Sequence, residues 1–151
     1  MEPDKKSILL RVVTPGGVVL EEKEVSVVLR TATGEIQVLH GHAPIVVLLE
    51  PGELRAVDPS GNERAFAAGE GFAEIDGETV TVFSDLAEAA ESISLEQAEE
   101  AKRRAESALA DAAKMTDDER QAADLALRES MVKIQMLLRR KDQKGGPSPL
   151  R

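Results

Sequence analysis

Glycine and proline are spread so unevenly along this chain that they divide it into two kinds of structure. Nine of its 11 glycines and five of its seven prolines lie before residue 79, and none falls between Thr79 and Lys144. Both residues act as punctuation: glycine reaches backbone conformations that other residues avoid, and proline ends helices and interrupts sheet ladders. The first part must therefore be short segments between turns, while the second is free to form long helices. Charge divides at the same place. Residues 1–88 hold 16 Asp/Glu against 7 Lys/Arg, a net of −9, and residues 89–151 hold 12 against 12.

In the first part, β-branched runs between turn signals predict strands at 7–13, 18–31 (with a possible break at Glu22), 35–39, 45–49, 53–57, 63–68, 71–75 and 79–83. Thr79-Val80-Thr81-Val82-Phe83 alternates, which puts Val80 and Val82 on one face. Asp76-Gly77 is a tight hairpin signal, and Asp58-Pro59-Ser60-Gly61-Asn62 a longer one. Strands of this length and spacing predict a small antiparallel β-sandwich or barrel with Phe66, Phe72 and Phe83 in its core.

The second part predicts two helices. Ser94 three residues before Gln97 forms a capping box and opens a helix to about Ala113, whose stripe is Ala98, Ala101, Ala105, Ala108 and Ala112. Thr116-Asp117-Asp118-Glu119 is a second box, opening a helix to about Lys141 with apolar positions at Ala123, Leu127, Met131, Ile134 and Leu138. A short connection near Lys114 and Met115 makes the pair antiparallel. The fold class is thus α+β: an N-terminal antiparallel β-sandwich or barrel over 1–88, a C-terminal antiparallel two-helix hairpin over 89–143, and a disordered tail over 144–151. An alanine stripe buries little area and fits several partners about equally, so the hairpin is expected to dock, undock or extend.

Composition excludes several functions. There is no cysteine, so disulfides and thiolate zinc sites cannot form. No apolar run approaches the roughly 18 residues needed to span a membrane, and the first residues lack the apolar core of a signal peptide. A net charge of −9 opposes nucleic-acid binding, whose phosphates need a basic face.

The only two histidines, His40 and His42, share the loop Leu39-His40-Gly41-His42-Ala43-Pro44 between two apolar runs. With Gly34 six residues upstream, they partly match a cupin metal motif. Val46 and Val47 stand where its carboxylate ligand belongs, however, and no third histidine exists. No serine has a histidine-plus-acid context, and no phosphate loop is present. Gly69-Glu70-Gly71, with no helix following, reads as a turn or bulge. The sequence therefore predicts no catalytic, metal or cofactor site. Arg139-Arg140-Lys141 is read either as complementing the negative end of its helix or as a patch for an acidic partner.

Taken together, these segments resemble the epsilon subunit of the rotary F-type ATP synthase, called delta in mitochondria. The resemblance rests on Gly34-Glu35-Ile36, on Leu39-His40-Gly41-His42-Ala43-Pro44, on Pro51-Gly52-Glu53-Leu54 and on Gly69-Glu70-Gly71-Phe72. Asp76-Gly77-Glu78-Thr79-Val80-Thr81-Val82 and Glu100-Ala101-Lys102-Arg103-Arg104-Ala105-Glu106 extend it along the chain. It implies a ten-strand sandwich joining the gamma shaft to the c ring, with Gly34, Glu35, His40, Gly41, His42, Ala43 and Pro44 as contacts for c ring or gamma. It implies a non-catalytic rotor subunit that couples proton flow to ATP synthesis, peripheral on the cytoplasmic face of a bacterial plasma membrane. Its hairpin would extend into the alpha/beta head and restrain ATP hydrolysis, with Arg139, Arg140 and Lys141 facing an acidic loop of the beta subunit. Several relatives bind ATP through an I/L-D-x-x-R-A motif. The matching stretch here, Ile93-Ser94-Leu95-Glu96-Gln97-Ala98, puts Ser94 and Gln97 in place of the Asp and Arg. Ile93, Ala98, Arg103 and Arg120 remain as weak ATP candidates, and little or no ATP binding is expected. The alternative is a stand-alone adaptor of the same architecture with no ATP synthase partner.

Overall fold

The structure, a computed structural model, describes residues 6–145. It separates into two compact units, one ending at Ala89 and the other beginning at Ala90.

Among the described residues the first unit contains ten strands: β1 Ile8–Thr14, β2 Gly17–Glu24, β3 Ser26–Thr31, β4 Gly34–Val38, β5 Ile45–Leu49, β6 Gly52–Val57, β7 Glu63–Ala68, β8 Gly71–Ile75, β9 Thr79–Ser84 and β10 Ala87–Ala89. They pair in the order β10-β7-β6-β3-β5-β8-β9-β1-β2, with β4 paired to β3. Every pairing is antiparallel except β1 with β9, a parallel neighbour more than 60 residues away in sequence. The predicted run 18–31 divides at Val25, three residues later than expected, where Val25 N donates to Val57 O at 2.7 Å.

Alternation sets the core. Ile8, Leu10 and Val12 of β1, Val27 and Leu29 of β3, and Val80 and Val82 of β9 are all at most 1 % exposed. Side chains of this size each contribute about 1.5–3 kcal/mol on burial. Of the three aromatics only Phe66 belongs to this core, at 7 % exposure. Phe72 is 38 % exposed and Phe83 half-buried, because the β8–β9 register puts both on the outer face beside each other.

Both hairpin signals form their turns. Asp76 Oδ1 accepts from Glu78 N and Thr79 N at 3.0 and 2.8 Å between β8 and β9. Asp58 does the same for Ser60 and Asn62 between β6 and β7. At the other end, buried Ser84 accepts from Gly69 N at 3.0 Å and donates to Leu86 O at 2.6 Å, tying the β7–β8 corner to the β9–β10 turn.

The second unit begins with a 3-10 turn, Ala90–Ser92, followed by α1 Leu95–Ala110, a further 3-10 turn Ala112–Lys114 and α2 Asp117–Gly145. Ser94 caps α1 by accepting from Gln97 N at 3.3 Å. The Thr116 box closes in both directions, Thr116 N to Glu119 Oε2 at 2.8 Å and Glu119 N to Thr116 Oγ1 at 3.2 Å. α1 stops three residues short of the expected end because Asp111 N bonds to Ala108 O, tightening the chain into the 3-10 geometry.

The expected stripe of α2 is shifted at two positions. Met131 and Leu138 are 39 % and 47 % exposed, while Ser130 is buried and Leu137 half-buried. The stripe turned inward is Ala123, Leu127, Ser130, Ile134 and Leu137, and beside it Met136, only 1 % exposed, is the most buried residue of the helix. Serine fits there because its hydroxyl donates to Ala126 O at 2.7 Å, one turn back, and needs no other partner. α2 continues through Lys144 and Gly145, and the rest of the expected tail lies outside the described residues.

Candidate functional site

The histidine loop joins β4 to β5 and is pinned from both sides. His42 N donates to Leu39 O at 3.1 Å, and Gly41 N donates to Gly77 O in the β8–β9 turn at 2.8 Å. Gly41 takes φ +84°, a conformation costly for any residue with a Cβ. His40 is exposed, and half-buried His42 places Nδ1 2.7 Å from Ala43 O, so in the tautomer that protonates this nitrogen it donates to its neighbour. Among the described residues no three or more of His, Cys, Asp and Glu gather to hold a metal.

The partner-contact residues read from the sequence do not form one surface. Gly34 and Glu35 begin β4 and the histidine loop follows its end, so the five-residue strand separates them by roughly 16 Å. Gly34 belongs to the same end of the sandwich as the β1–β2 turn, while the histidine loop belongs with the β8–β9 turn. Glu35 is further held by Arg55, whose Nη2 donates to Glu35 Oε2 at 3.2 Å.

Between these ends lies a surface that sequence reasoning missed. Cross-strand register aligns Leu48 with Phe72, Phe72 with Phe83, Phe83 with Val13, and Val13 with Val18. This is an apolar row across five strands on the outer face. Leu48 is 72 % exposed, Val18 51 % and Phe72 38 %, and neighbouring Val46 is 65 %. Phe72 and Phe83 stack with ring centroids 4.8 Å apart and 24° between planes. Beside them a groove of about 380 Å³ runs past Pro15 and is rimmed by Glu70 and Asp85. The adjacent row is mixed: Val46, Glu74, Thr81, Arg11 and Glu21, with Arg11 and Glu21 ion-paired at 3.6 Å. A strand with one solvated face should alternate, and an apolar patch left in water marks an interaction surface. The signal was present in the unbroken run Ile45-Val46-Val47-Leu48-Leu49, which supplies apolar residues to both faces of β5.

Charge also joins β7, near one end of the strand order, to β2 at the other end. Arg64 of β7 donates through Nη2 to Glu22 Oε2 at 2.6 Å and to Glu24 Oε1, both on β2. Glu24 is fully buried, and its second oxygen has no partner among the described residues. Burial pushes its carboxyl above the ordinary value, against the pull of Arg64. The Arg64 hydrogen bond holds Glu22 below it, and bonds from Asn62 do the same for Asp58.

The residues considered for ATP are not brought together. Ile93 precedes α1, buried Ala98 and exposed Arg103 lie along it, and Arg120 lies beyond its far end, donating to Ala112 O at 3.2 Å. The 16 residues of α1, about 24 Å, lie between Ile93 and the Ala112 carbonyl that holds the Arg120 guanidinium. Arg139, Arg140 and Lys141 precede the last turn of α2. That turn carries Lys144, so complementing the helix dipole falls to Lys144.

Residues 7–90, the whole sandwich, match the family model described as ATP synthase, Delta/Epsilon chain, beta-sandwich domain. The chain belongs to the ATP synthase delta/epsilon family. It is 35 % identical over 137 residues to the ATP synthase epsilon chain of Latilactobacillus sakei, covering 89 % of this chain and 94 % of that one. It is 38 % identical over 126 residues to the epsilon chain of Symbiobacterium thermophilum, covering 83 % and 88 %. Its fold is similar to that of a chain in the Euglena gracilis mitochondrial ATP synthase complex, with a TM-score of 0.75 and 23 % identity, covering 90 % of this chain and 84 % of that one. Among the described residues no helix is long and apolar enough to cross a membrane.

Proposed function

We propose that this chain is a non-catalytic rotor subunit of a proton-driven F-type ATP synthase, peripheral on the cytoplasmic face of a bacterial plasma membrane. The sandwich joins the gamma shaft to the c ring, and the helical hairpin restrains ATP hydrolysis in the alpha/beta head. The observation that carries this reading is the apolar row on the outer face of the sandwich, in a chain of this family. The row is rigid because it is built from paired strands rather than loops, and it has the apolar character of a lasting interface. Gamma is assigned to this face, and the two ends of the sandwich, with Gly34-Glu35 at one and His40–Pro44 at the other, to contacts with c ring and gamma.

The test is Leu48→Asp in a binding measurement with purified gamma. Leu48 is 72 % exposed, so folding does not depend on it, while covering it in a complex contributes about 1.5–3 kcal/mol. Affinity is expected to fall at least about tenfold with an unchanged melting temperature. Unaltered binding would remove gamma from this face. The same reading assigns no role to bound nucleotide, because Ser94 is engaged as a helix cap and Arg120 with the Ala112 carbonyl. Calorimetry at millimolar ATP is expected to give little or no heat of binding, and a sub-micromolar affinity would overturn that assignment.

A further inference from the structure

The two helices of the hairpin are unequal, and the excess has its own anchor. At 1.5 Å per residue, the 16 residues of α1 reach about 24 Å and the 29 residues of α2 about 44 Å. Antiparallel packing from the short connection exhausts α1 near residue 132, so roughly the last dozen residues of α2 run past it. Arg139, Arg140 and Lys141 lie in that overhang. What lies opposite is the 3-10 turn Ala90–Ser92, immediately before α1 in the same unit. Across this gap Arg140 Nη2 donates to Glu91 Oε1 at 3.3 Å. The Arg140 side chain is 20 % exposed and that of Glu91 68 %.

We propose that Glu91 is an internal stand-in for the acidic partner surface that the basic end of α2 engages. The pair is a latch that closes the overhang onto the 3-10 turn and must open before Arg140 can bind the partner's carboxylates. This rests on the reading of the hairpin as a regulator of ATP hydrolysis.

The geometry suits a reversible device. Arginine holds a carboxylate most firmly through two parallel hydrogen bonds, whereas Glu91 receives one, near the upper limit of hydrogen-bond length. Arg140 is largely covered, but Glu91 at 68 % exposed keeps its carboxylate in water, and a pair with one solvated partner shifts an equilibrium by about fivefold, less as salt screens it. A partner offering several carboxylates can therefore displace Glu91 without the chain unfolding. Covalent continuity nevertheless keeps Glu91 at high local concentration, so the latch closes again when the partner withdraws.

The experiment compares full-length wild type, E91Q, R140Q and the double swap E91R/R140E. Two readouts are used: amide exchange over residues 134–144 of the isolated chain, and inhibition of ATP hydrolysis when each is added to the catalytic complex. At low salt E91Q and R140Q are expected to exchange about three- to fivefold faster than wild type, with the swap restored and the differences gone near 1 M salt. Inhibition separates the two single variants. E91Q should inhibit two- to fivefold more tightly because the competitor is gone, and R140Q more weakly because the binding group is gone. Wild-type exchange in E91Q would overturn the latch, and faster exchange without tighter inhibition would overturn the competition. If wild type itself leaves ATP hydrolysis unrestrained, the regulatory reading fails instead, a result distinct from either.

Discussion

Replacing Gly71 by alanine should damage the sandwich more than any exposed substitution, although glycine here adopts no unusual backbone angle. A Cβ at position 71 would lie 1.8 Å from the Phe83 carbonyl oxygen, 2.8 Å from its carbonyl carbon and 3.0 Å from Ser84 Cα. All three are backbone atoms, so no side chain can swing aside. Restoring even 3.0 Å to the oxygen moves β8 against β9 by about 1.2 Å. Asp85 N to Glu70 O, now 3.0 Å, would stretch beyond 4 Å and leave hydrogen-bonding range. Losing two such bonds at about 1 kcal/mol each, with a further kilocalorie for disturbed packing around Phe72 and Phe83, gives about 3 kcal/mol. For a domain of this size that lowers the melting temperature by roughly 12–24 °C. The chain contains no Trp or Tyr, so circular dichroism or scanning calorimetry is the suitable probe. Gly16→Ala is the control, since its Cβ would meet only Thr14 Oγ1 at an ordinary 3.7 Å. If Gly71→Ala melts within a few degrees of Gly16→Ala, the close approach of the two strands is not what requires glycine there.

Two further predictions concern charge and caps. Burial raises the Glu24 pKa in the folded state, so folding favours its protonated form; the cost of its charge is absent below about pH 4.5 and grows as pH rises through the folded pKa. The stability of E24Q relative to wild type, measured by urea unfolding, should therefore rise with pH, and the opposite trend would refute the assignment. Glu22 is the reverse case, held low by Arg64. E22Q should be less stable than wild type above pH 4.5 and converge with it as pH falls through the folded pKa of Glu22. In the hairpin, Thr116→Ala breaks a box closed in both directions and should cost about 1 kcal/mol. Ser94→Ala loses a single 3.3 Å bond and should cost less, which the helical melting signal at 222 nm can compare.

The candidate interface shows why part of the site was legible and part was not. The histidine loop stood out because glycine, proline and a unique residue type coincide there, all of them local signals. The apolar row did not, because its members come from β1, β2, β5, β8 and β9 and meet only through register. Aromatic residues in a β-rich chain are read as core, yet Phe72 and Phe83 occupy the outer positions of their strands. Period two says which residues share a face. It cannot say which face is covered when both are apolar, as they are in β5.

Sequence alone determined the division into a turn-rich and a helical part, the hairpin turns at Asp58 and Asp76, and the starts of both helices. Each depends on a few consecutive residues whose backbone preferences and side-chain hydrogen bonds act within one turn of chain. Tertiary structure decided that β1 lies parallel to β9, that Glu24 is buried against Arg64, that Ser130 rather than Met131 turns inward, and that Arg140 finds Glu91 49 residues away. Those outcomes depend on which distant surfaces exclude water from one another, and no local window of sequence contains both partners.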